Sequence, residues 1–388
     1  MTNSASTIVL YLVVSSTLYY AWFILRCFFG LRSIPSTGRT APMHSVTVLI
    51  PARNEEKNIG RCLDGLLRQD MPHDRVEFIV IDDGSTDATV SIVEEFRSKD
   101  PRIRLISLGN EQSTEPSRKR GRKPEAIAAG IAASNFPVIV TTDADCTAPA
   151  PWVRTLTGFL NGRTVYVIGP VLEDQGETFF TRFRALEVLG LIGITGGRIG
   201  IGRPVNGLGA NTAFFKEVYE QSGRFDFSAV KSDEETMMHE VLFHNLGDVG
   251  FAPVPDATIY TFSPPSFSSY WNQRLRWSSM HGRFRNQTIL VELFFLYLSL
   301  LFPLAGLVTG IWMPELLPVV ISSFVIKGII DYLMVSLSAK RFGFHIPLLV
   351  FFISELVHGM IIIAVSSVGQ FLPYRWKDRK VLTVEGNH

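Results

Sequence analysis

Residues 77–85 read EFIVIDDGS, an apolar run that ends in two aspartates and a glycine. An apolar run of this length, closed by turn-forming residues, predicts a buried β-strand. The same pattern occurs at residues 46–51, which read VTVLIP, and at residues 138–145, which read VIVTTDAD. These three segments therefore predict neighbouring strands that each end in a turn, two of the turns being acidic.

Helix-like segments separate the predicted strands. Asn58–Arg68 carries apolar residues at helical spacing, Glu125–Ala133 is rich in alanine, and a further strand-like run spans Ile103–Leu108. Alternation of strands and helices on this scale predicts an α/β fold with a mostly parallel sheet and helices on both faces. In such sheets ligands bind at the carboxyl ends of the strands.

Acidic residues follow two of these strands, Asp82 and Asp83 in one case and Asp143 and Asp145 in the other. Carboxylates at adjacent strand ends repel each other unless a cation or hydrogen-bond donors lie between them. Oxygen ligands of this kind suit Mg²⁺ or Mn²⁺, which also bind phosphate oxygens. The alternative is that Asp82 caps a helix and Asp143 closes a turn.

The composition indicates a water-soluble unit joined to membrane segments. Of 388 residues, 46% are hydrophobic and 19% are charged, and the formal net charge is +1. A nearly neutral chain creates no long-range field for a nucleic-acid partner, so we expect none. The three cysteines are too few for a disulfide framework.

Long apolar runs lie at both ends of the chain. Ile8–Phe29 is long enough to cross a hydrocarbon layer of roughly 30 Å. Arginines follow this run and no charged residue precedes it, so the positive-inside rule predicts a cytoplasmic location for everything after residue 30. Three more apolar runs span Thr288–Trp312, Leu316–Leu337 and Ile346–Leu372.

The topology of the C-terminal third is in conflict with its charges. Three full spans would place the basic tail outside, whereas the positive-inside rule favours the cytoplasm. One segment is therefore expected to be interfacial or re-entrant, with Pro303, Pro314 and Pro347 as break points. The intramembrane pairs Lys327/Asp331 and Glu355/His358 either neutralise themselves against a neighbouring helix or contact a substrate head group.

These patterns divide the chain into four parts. We expect a transmembrane anchor at residues 1–30, a cytoplasmic α/β domain at 45–285, membrane helices at 286–373 and a polar basic tail at 374–388. The predicted location is an integral membrane protein of a bacterial-type inner membrane. The Gly- and Ile-rich segment 190–209 is expected to form an acceptor-side loop or an amphipathic segment.

Several motifs, taken in order, resemble a known enzyme family. They are Pro51-Ala52-Arg53-Asn54-Glu55, Asp82-Asp83-Gly84-Ser85-Thr86-Asp87, Lys123, Asp143-Ala144-Asp145, Gly209-Ala210-Asn211-Thr212-Ala213-Phe214, Ser232-Asp233-Glu234-Glu235 and Gln273-Arg274-Leu275-Arg276-Trp277. Together they resemble the membrane-bound branch of family 2 glycosyltransferases, which have the inverting GT-A nucleotide-diphospho-sugar transferase fold. That branch includes polysaccharide synthases and ceramide and carotenoid glycosyltransferases.

The resemblance implies a role for each matching residue. Pro51, Ala52 and Glu55 would line the nucleobase site and Asp83 would hydrogen-bond the base. Lys123 would face the nucleotide and Asp143 the ribose or diphosphate, while Asp145 would hold Mg²⁺ or Mn²⁺. On the acceptor side, Glu234 would be the general base, with Asp233 or Glu235 as the alternative. Gln273 and Arg276 would hold the leaving diphosphate. Trp277 would be a platform for the acceptor, and Asn211 belongs to the same side.

The sequence thus predicts an enzyme that moves a hexose from a nucleotide-sugar, UDP-glucose in the simplest case, to a hydroxyl of a lipophilic acceptor. The acceptor would be a carotenoid of the chlorobactene type or a glycolipid, reached from the membrane lipids. A processive polysaccharide synthase and a non-catalytic scaffold are the alternatives. A membrane-tethered Rossmann oxidoreductase is disfavoured, because residues 51–55 lack the Gly-rich turn that it requires.

Overall fold

A computed structural model describes residues 4–36, 43–109, 123–174, 176–205, 207–222, 234–263, 266–280, 287–369, 372, 374–376 and 379–381. The strands are β1 (Val46–Ala52), β2 (Val76–Asp82), β3 (Ile103–Ser107), β4 (Val138–Thr141), β5 (Thr164–Ile168), β6 (Val171–Glu173), β7 (Thr212–Phe215), β8 (Asp248–Phe251), β9 (Ile259–Thr261), β10 (Tyr374–Trp376) and β11 (Arg379–Val381). The helices are α1 (Ser4–Ser33), α2 (Ile59–Leu67), α3 (Thr89–Lys99), α4 (Lys123–Ala133), α5 (Trp152–Thr157), α6 (Phe179–Gly200), α7 (Lys216–Gln221), α8 (Glu234–Phe243), α9 (Phe267–Met280), α10 (Gln287–Thr309), α11 (Leu317–Phe342) and α12 (Leu348–Val368).

Seven strands form one sheet in the order β3-β2-β1-β4-β7-β5-β8. Only β7 runs against its neighbours, pairing antiparallel with β4 and β5. The predicted mostly parallel sheet is confirmed. Strands β6 and β9 form a separate parallel pair beside it.

Helices cover both faces of the sheet, as predicted. Alternate strand residues point to opposite sides, so Val48 and Phe78 pack with α2, α3 and α5 in one core. Leu49 and Ile79 pack with α4 and α6 in the other core, which continues into α1 and α11. Burial on both faces explains why these strands are continuous apolar runs rather than alternating ones.

Helix α6 lies between the sheet and the long apolar helices. Its last turns pack directly on the backbone of α1, because a Cβ atom at Gly197 would overlap the carbonyl of Cys27 and one at Gly200 would overlap that of Gly30. The expectation of a loop or amphipathic segment at residues 190–209 is therefore wrong up to residue 200. The glycines allow two helices to approach closely, as small residues do in membrane helix pairs.

Within the described residues, three helices are long and apolar enough to cross a membrane, namely Ser6–Ser33, Gln287–Thr309 and Pro314–Phe342. Helix α12 bends by 43° between Glu355 and Val357, as a broken span or a re-entrant segment does. Of the three predicted break points, Pro314 begins the turn between α10 and α11 and Pro347 precedes α12. The third was wrong, because Pro303 lies inside a continuous α10.

Candidate active site

The carboxyl ends of three neighbouring strands form one edge of the sheet. Strands β2, β1 and β4 are adjacent and parallel, with Ala52 beside Asp82 and Leu49 beside Thr141. The three loops that follow these strands therefore begin at the same edge. Pro51 and Ala52 are the last two residues of β1, so they lie directly at this edge.

The loops after β1 and β2 are joined by hydrogen bonds. Asn54 has a left-handed backbone with φ 51°, and its N–H donates to Ser85 Oγ at 3.0 Å. Its side-chain oxygen accepts from the N–H of Thr86 at 2.8 Å. Arg53 Nη1 donates to the carbonyl of Asp83 at 3.0 Å. The side-chain oxygen of Glu55, one residue further on, accepts from Asn58 Nδ2 at 2.8 Å.

The two aspartates after β2 have different environments. The Asp82 carboxylate accepts from the N–H groups of Gly84 and Ser85, which closes a turn in which Gly84 has φ 71°. The Asp83 carboxylate lies 3.5 Å from Arg53 Nη1. Asp82 thus closes a turn rather than capping α3, and the base-binding role of Asp83 remains a prediction.

The loop after β4 carries the second acidic pair. Lys123 is the first residue of α4. Its Nζ donates a hydrogen bond to Asp143 Oδ1, and the two atoms are 2.7 Å apart. The carbonyl of Asp145 accepts from Arg61 Nη2 at 3.2 Å, and this guanidinium stacks on the ring of Phe262 at 3.6 Å. Lys123 and Asp143 are both partly exposed, so this ion pair is open to a ligand from the strand-end side.

Two thiols lie beside this loop. Burial and the charges of Asp145 and Asp143 raise the pKa of Cys62 to about 12 and that of Cys146 well above its ordinary value. Since thiolates are the form that attacks substrates and binds metals, both cysteines act here as small buried side chains.

Asp143 and Asp145 are hard oxygen donors of the type that Mg²⁺ and Mn²⁺ prefer. Among the residues that the structure describes, no group of three His, Cys, Asp or Glu side chains is arranged to hold a metal. Such ions are often bound by one or two carboxylates together with substrate phosphates. The donor set therefore fits a divalent cation that binds with a diphosphate.

Asn211 precedes β7 next to the end of β4, since Thr212 pairs with Thr141, but its side chain is directed into the core. Its side chain is fully buried, and Oδ1 accepts from Trp152 Nε1 at 2.9 Å. Both hydrogens of Nδ2 are used by the carbonyls of Pro170 and Ala257, at 2.7 and 2.8 Å. An amide whose donors are all occupied is a cross-link of the core, so we do not include Asn211 among the residues proposed to contact substrate.

Helix α9 carries Gln273, Arg276 and Trp277, of which Gln273 Oε1 accepts from Arg184 Nη2 at 3.1 Å. Arg184 in turn forms a buried ion pair with Glu173 at the end of β6. The ring of Trp277 lies 4.0 Å from the Arg274 guanidinium. Gln273 is thus held by α6, whereas Trp277 packs on Arg274 of its own helix.

Sequence reasoning missed a second buried pair on α6 and α9. Arg274 Nη2 donates to Glu187 Oε2 at 2.6 Å, and His358 lies 3.5 Å from the same carboxylate. Burial alone would raise the pKa of Glu187, but the hydrogen bond to His358 and the charge of Arg274 lower it to about 2. The signal was present in the sequence as charged residues within an apolar helix.

The predicted general base lies at the margin of the described residues. Glu234 is the first residue of α8, whereas Asp233 and the side chains of Glu234 and Glu235 lie outside them. These expectations remain predictions.

A cavity of about 630 Å³ lies between α1, α6, α9, α10, α11 and α12. Trp277 and Arg274 of α9 line it together with aromatic and aliphatic side chains, among them Phe23, Ile194 and Leu293. A concave, mostly apolar space with a few polar groups is typical of a ligand site.

The strand-end edge and α9 are connected by a short stretch of chain. Thr147, two residues after Asp145, pairs with Tyr260 of β9. Strand β9 leads within six residues to α9, and Phe262 on the way stacks with Arg61.

The fold agrees with that of a solved enzyme. The mannosyltransferase PcManGT of Pyrobaculum calidifontis, determined with GDP-Man and Mn²⁺, matches with a TM-score of 0.61 at 19% identity over 94% of this chain and 98% of that chain. The fold is thus the GT-A nucleotide-diphospho-sugar transferase fold.

Sequence comparison gives the family. The model of the Glycosyl transferase family 2 domain matches residues 47–223, and that of Glycosyl transferase family group 2 matches residues 138–364. The chain belongs to the family 2 glycosyltransferases and is an enzyme of that class.

Two curated relatives illustrate the range of the family. A probable glycosyltransferase, YdaM of Bacillus subtilis, is 32% identical over 238 residues, covering 60% of this chain and 54% of the relative. The beta-monoglucosyldiacylglycerol synthase of Synechocystis is 26% identical over 151 residues, covering 38% of this chain and 30% of the relative. The chain thus spans about half or less of the length of these relatives.

Proposed function

We propose that the enzyme is a membrane-bound inverting transferase that moves a hexose from a nucleotide-sugar to a hydroxyl of a lipophilic acceptor. The observation that carries this proposal is the connection of the acidic strand-end edge, through β9 and α9, to an apolar cavity between helices long enough to span a membrane. The sequence comparison adds that one relative is named for a diacylglycerol product.

The donor would bind at the strand-end edge. Pro51, Ala52, Glu55 and Asp83 would contact the nucleoside, since they end or follow β1 and β2. Lys123 and Asp143 would meet the diphosphate or ribose, because their ion pair is partly exposed. A cation held by Asp145 and the diphosphate would supply charge neutralisation for the leaving group.

The acceptor would approach from the cavity side. Trp277 lines the cavity and would support the acceptor, while Gln273 and Arg276 on the same helix would stabilise the charge that grows on the leaving diphosphate. Glu234 would take the proton of the acceptor hydroxyl as that oxygen attacks the anomeric carbon. Attack opposite the leaving group inverts the anomeric configuration.

The experiment uses the purified full chain in lipid nanodiscs with radiolabelled UDP-glucose or GDP-mannose and a crude lipid extract. A labelled product that partitions into organic solvent, and that Asp145→Asn abolishes, is expected with UDP-glucose. A labelled water-soluble polymer of high mass would instead identify a processive synthase. Absence of any labelled product with a set of nucleotide-sugars would refute the proposal.

A further inference from the structure

The cavity that we assign to the acceptor has an unusual set of charges on its wall. Two arginines line it, Arg198 and Arg274, whereas four carboxylates do so, those of Glu187, Glu292, Asp331 and Glu355. Ionisable groups at membrane depth are costly and usually mark a substrate path or a binding site. Whether these charges are already paired therefore decides whether a charged or an uncharged head group can bind in the cavity.

Each cation on the wall is already paired with a carboxylate. Arg198 Nη1 lies 2.5 Å from Glu292 Oε2, and Arg274 Nη2 lies 2.6 Å from Glu187 Oε2. The side chains of both arginines are only 6% exposed, so neither can turn to water to release its partner.

A third set of ion pairs joins α11 and α12 beside the cavity. Lys327 Nζ lies 2.6 Å from Asp331 Oδ2 and also 2.6 Å from Glu355 Oε2. Tyr20 of α1 donates to Asp331 as well, at 2.8 Å. The predicted pairing of Lys327 with Asp331 is thus present. The predicted pair Glu355/His358 is not what the structure shows, because Glu355 pairs with Lys327 of α11 and His358 lies beside Glu187 of α6.

The four carboxylates of the wall are therefore paired with four permanent cations, Arg198, Arg203, Arg274 and Lys327, and among the described residues each of these cations already has a carboxylate partner. A lipid phosphate or carboxylate bound there would bring an anion next to these carboxylates without a cation of its own. Burying an unpaired charge costs several kcal/mol. A hydroxyl has no such cost, and carboxylate oxygens are strong acceptors for its proton.

Resting on the proposed function, we infer that the acceptor is an uncharged lipid alcohol rather than a lipid phosphate or a lipid carboxylate. Before it reaches the donor, its hydroxyl head would bind among the carboxylates that line the cavity, and its apolar tail would lie against Phe23, Ile194 and Leu293. The specificity would then come from charge balance, since the apolar wall offers no means of telling two lipids with the same tail apart.

The first test compares lipids that differ only in the phosphate. Binding of 1,2-dioleoylglycerol and of the matching dioleoyl phosphatidic acid to the full-length protein is measured by native mass spectrometry. Polyprenol and polyprenyl phosphate give a second matched pair. The neutral member of each pair is expected to bind at least about tenfold more tightly. Equal or tighter binding of the phosphate members would overturn the inference.

A charge variant tests the cause. Glu292→Gln leaves Arg198 and Arg203 with no carboxylate on α10, so phosphatidic acid should bind at least about tenfold more tightly than to the parent protein. Glu315→Gln, at an exposed position outside the cavity wall, is the matched control and should change nothing. An unchanged preference in a folded Glu292→Gln protein would contradict the role given to charge.

A second variant tests the location. Ile194→Trp fills the cavity and should abolish binding of the neutral lipids, whereas Ile329→Trp on the exposed face of α11 should not. Retained binding in a folded Ile194→Trp protein would place the lipid elsewhere. Nucleotide-sugar binding, measured by calorimetry on the same samples, separates the two proposals. If the full-length protein binds no nucleotide-sugar but still prefers the neutral lipids, the proposed function fails and the inference about charge stands.

Discussion

Replacing Asn211 by alanine tests whether this residue is a cross-link of the core or a ligand of the substrate. In the structure its amide joins Trp152 to the carbonyls of Pro170 and Ala257. The resemblance to family 2 enzymes implied a place on the leaving-group and acceptor side instead. The two roles predict different losses.

The expected loss of stability follows from the groups left without a partner. Pro170 O keeps a second hydrogen bond, from the N–H of Ile259 at 3.0 Å, so Trp152 Nε1 and Ala257 O are the groups that lose theirs. A buried polar group left unsatisfied costs about 1–3 kcal/mol, so the change should destabilise the protein by roughly 2–6 kcal/mol.

The assay is urea unfolding of the protein in detergent, followed by tryptophan fluorescence and by pulse proteolysis. Asn272→Ala, which removes an amide from the surface of α9, is the matched control and should stay within about 0.5 kcal/mol. A cycle with Trp152→Phe should show a coupling energy of about 0.5–3 kcal/mol, because the two side chains share one hydrogen bond. An Asn211→Ala protein of unchanged stability, with a KM for the nucleotide-sugar raised more than tenfold, would refute this reasoning.

Four further predictions concern the site and its supports. Lys123→Met should raise the KM for the nucleotide-sugar about tenfold or more, because it removes a charged hydrogen bond to Asp143; thermal unfolding should not change, since this pair is partly exposed. Glu234→Gln should lower kcat by about 10²–10⁴-fold with donor binding retained, as loss of a general base does; Glu235→Gln is the comparison, and a larger loss there would reassign the base. Gly197→Val should destabilise the protein by about 1–3 kcal/mol or more through overlap with α1, whereas Gly328→Val, which meets no atom within 4 Å, should be close to neutral. The pKa of Glu187 is lowered from 4.5 to about 2, so its contribution to stability is present above about pH 4.5 and is lost as the pH falls towards 2; Glu187→Gln should flatten the unfolding midpoint across that range, and an unchanged slope would argue against the pairing.

Most of the catalytic fold could be predicted because its signals are local. Strands β1, β2 and β4 are buried on both faces, and such strands are apolar runs that stand out without any knowledge of their neighbours. The turns after them carry glycine and aspartate for equally local reasons, such as the positive φ of Gly84.

The end of helix α6 was not predicted because its glycines are explained by contacts with α1, which is distant in the sequence. Glycine lowers helix propensity, so the last turns of α6, with five glycines between residues 190 and 200, are typical of a loop by composition. Those at 197 and 200 are there because the backbone of α1 lies against them. Pro303 is the opposite case, since a proline that predicts a break is accommodated inside α10, as prolines in apolar helices often are.

Helix α9 contains a residue, Arg274, whose contacts could not be predicted from the sequence motif. The match singled out Gln273, Arg276 and Trp277, and the structure adds Arg274. At 100° per residue, Arg274 and Arg276 lie about 200° apart around the helix, so they project from opposite sides of it. Arg274 is committed to Glu187 at the cavity wall. Arg274 thus contributes to the wall of the cavity, whereas Arg276, two residues further on, projects from the opposite side of the same helix.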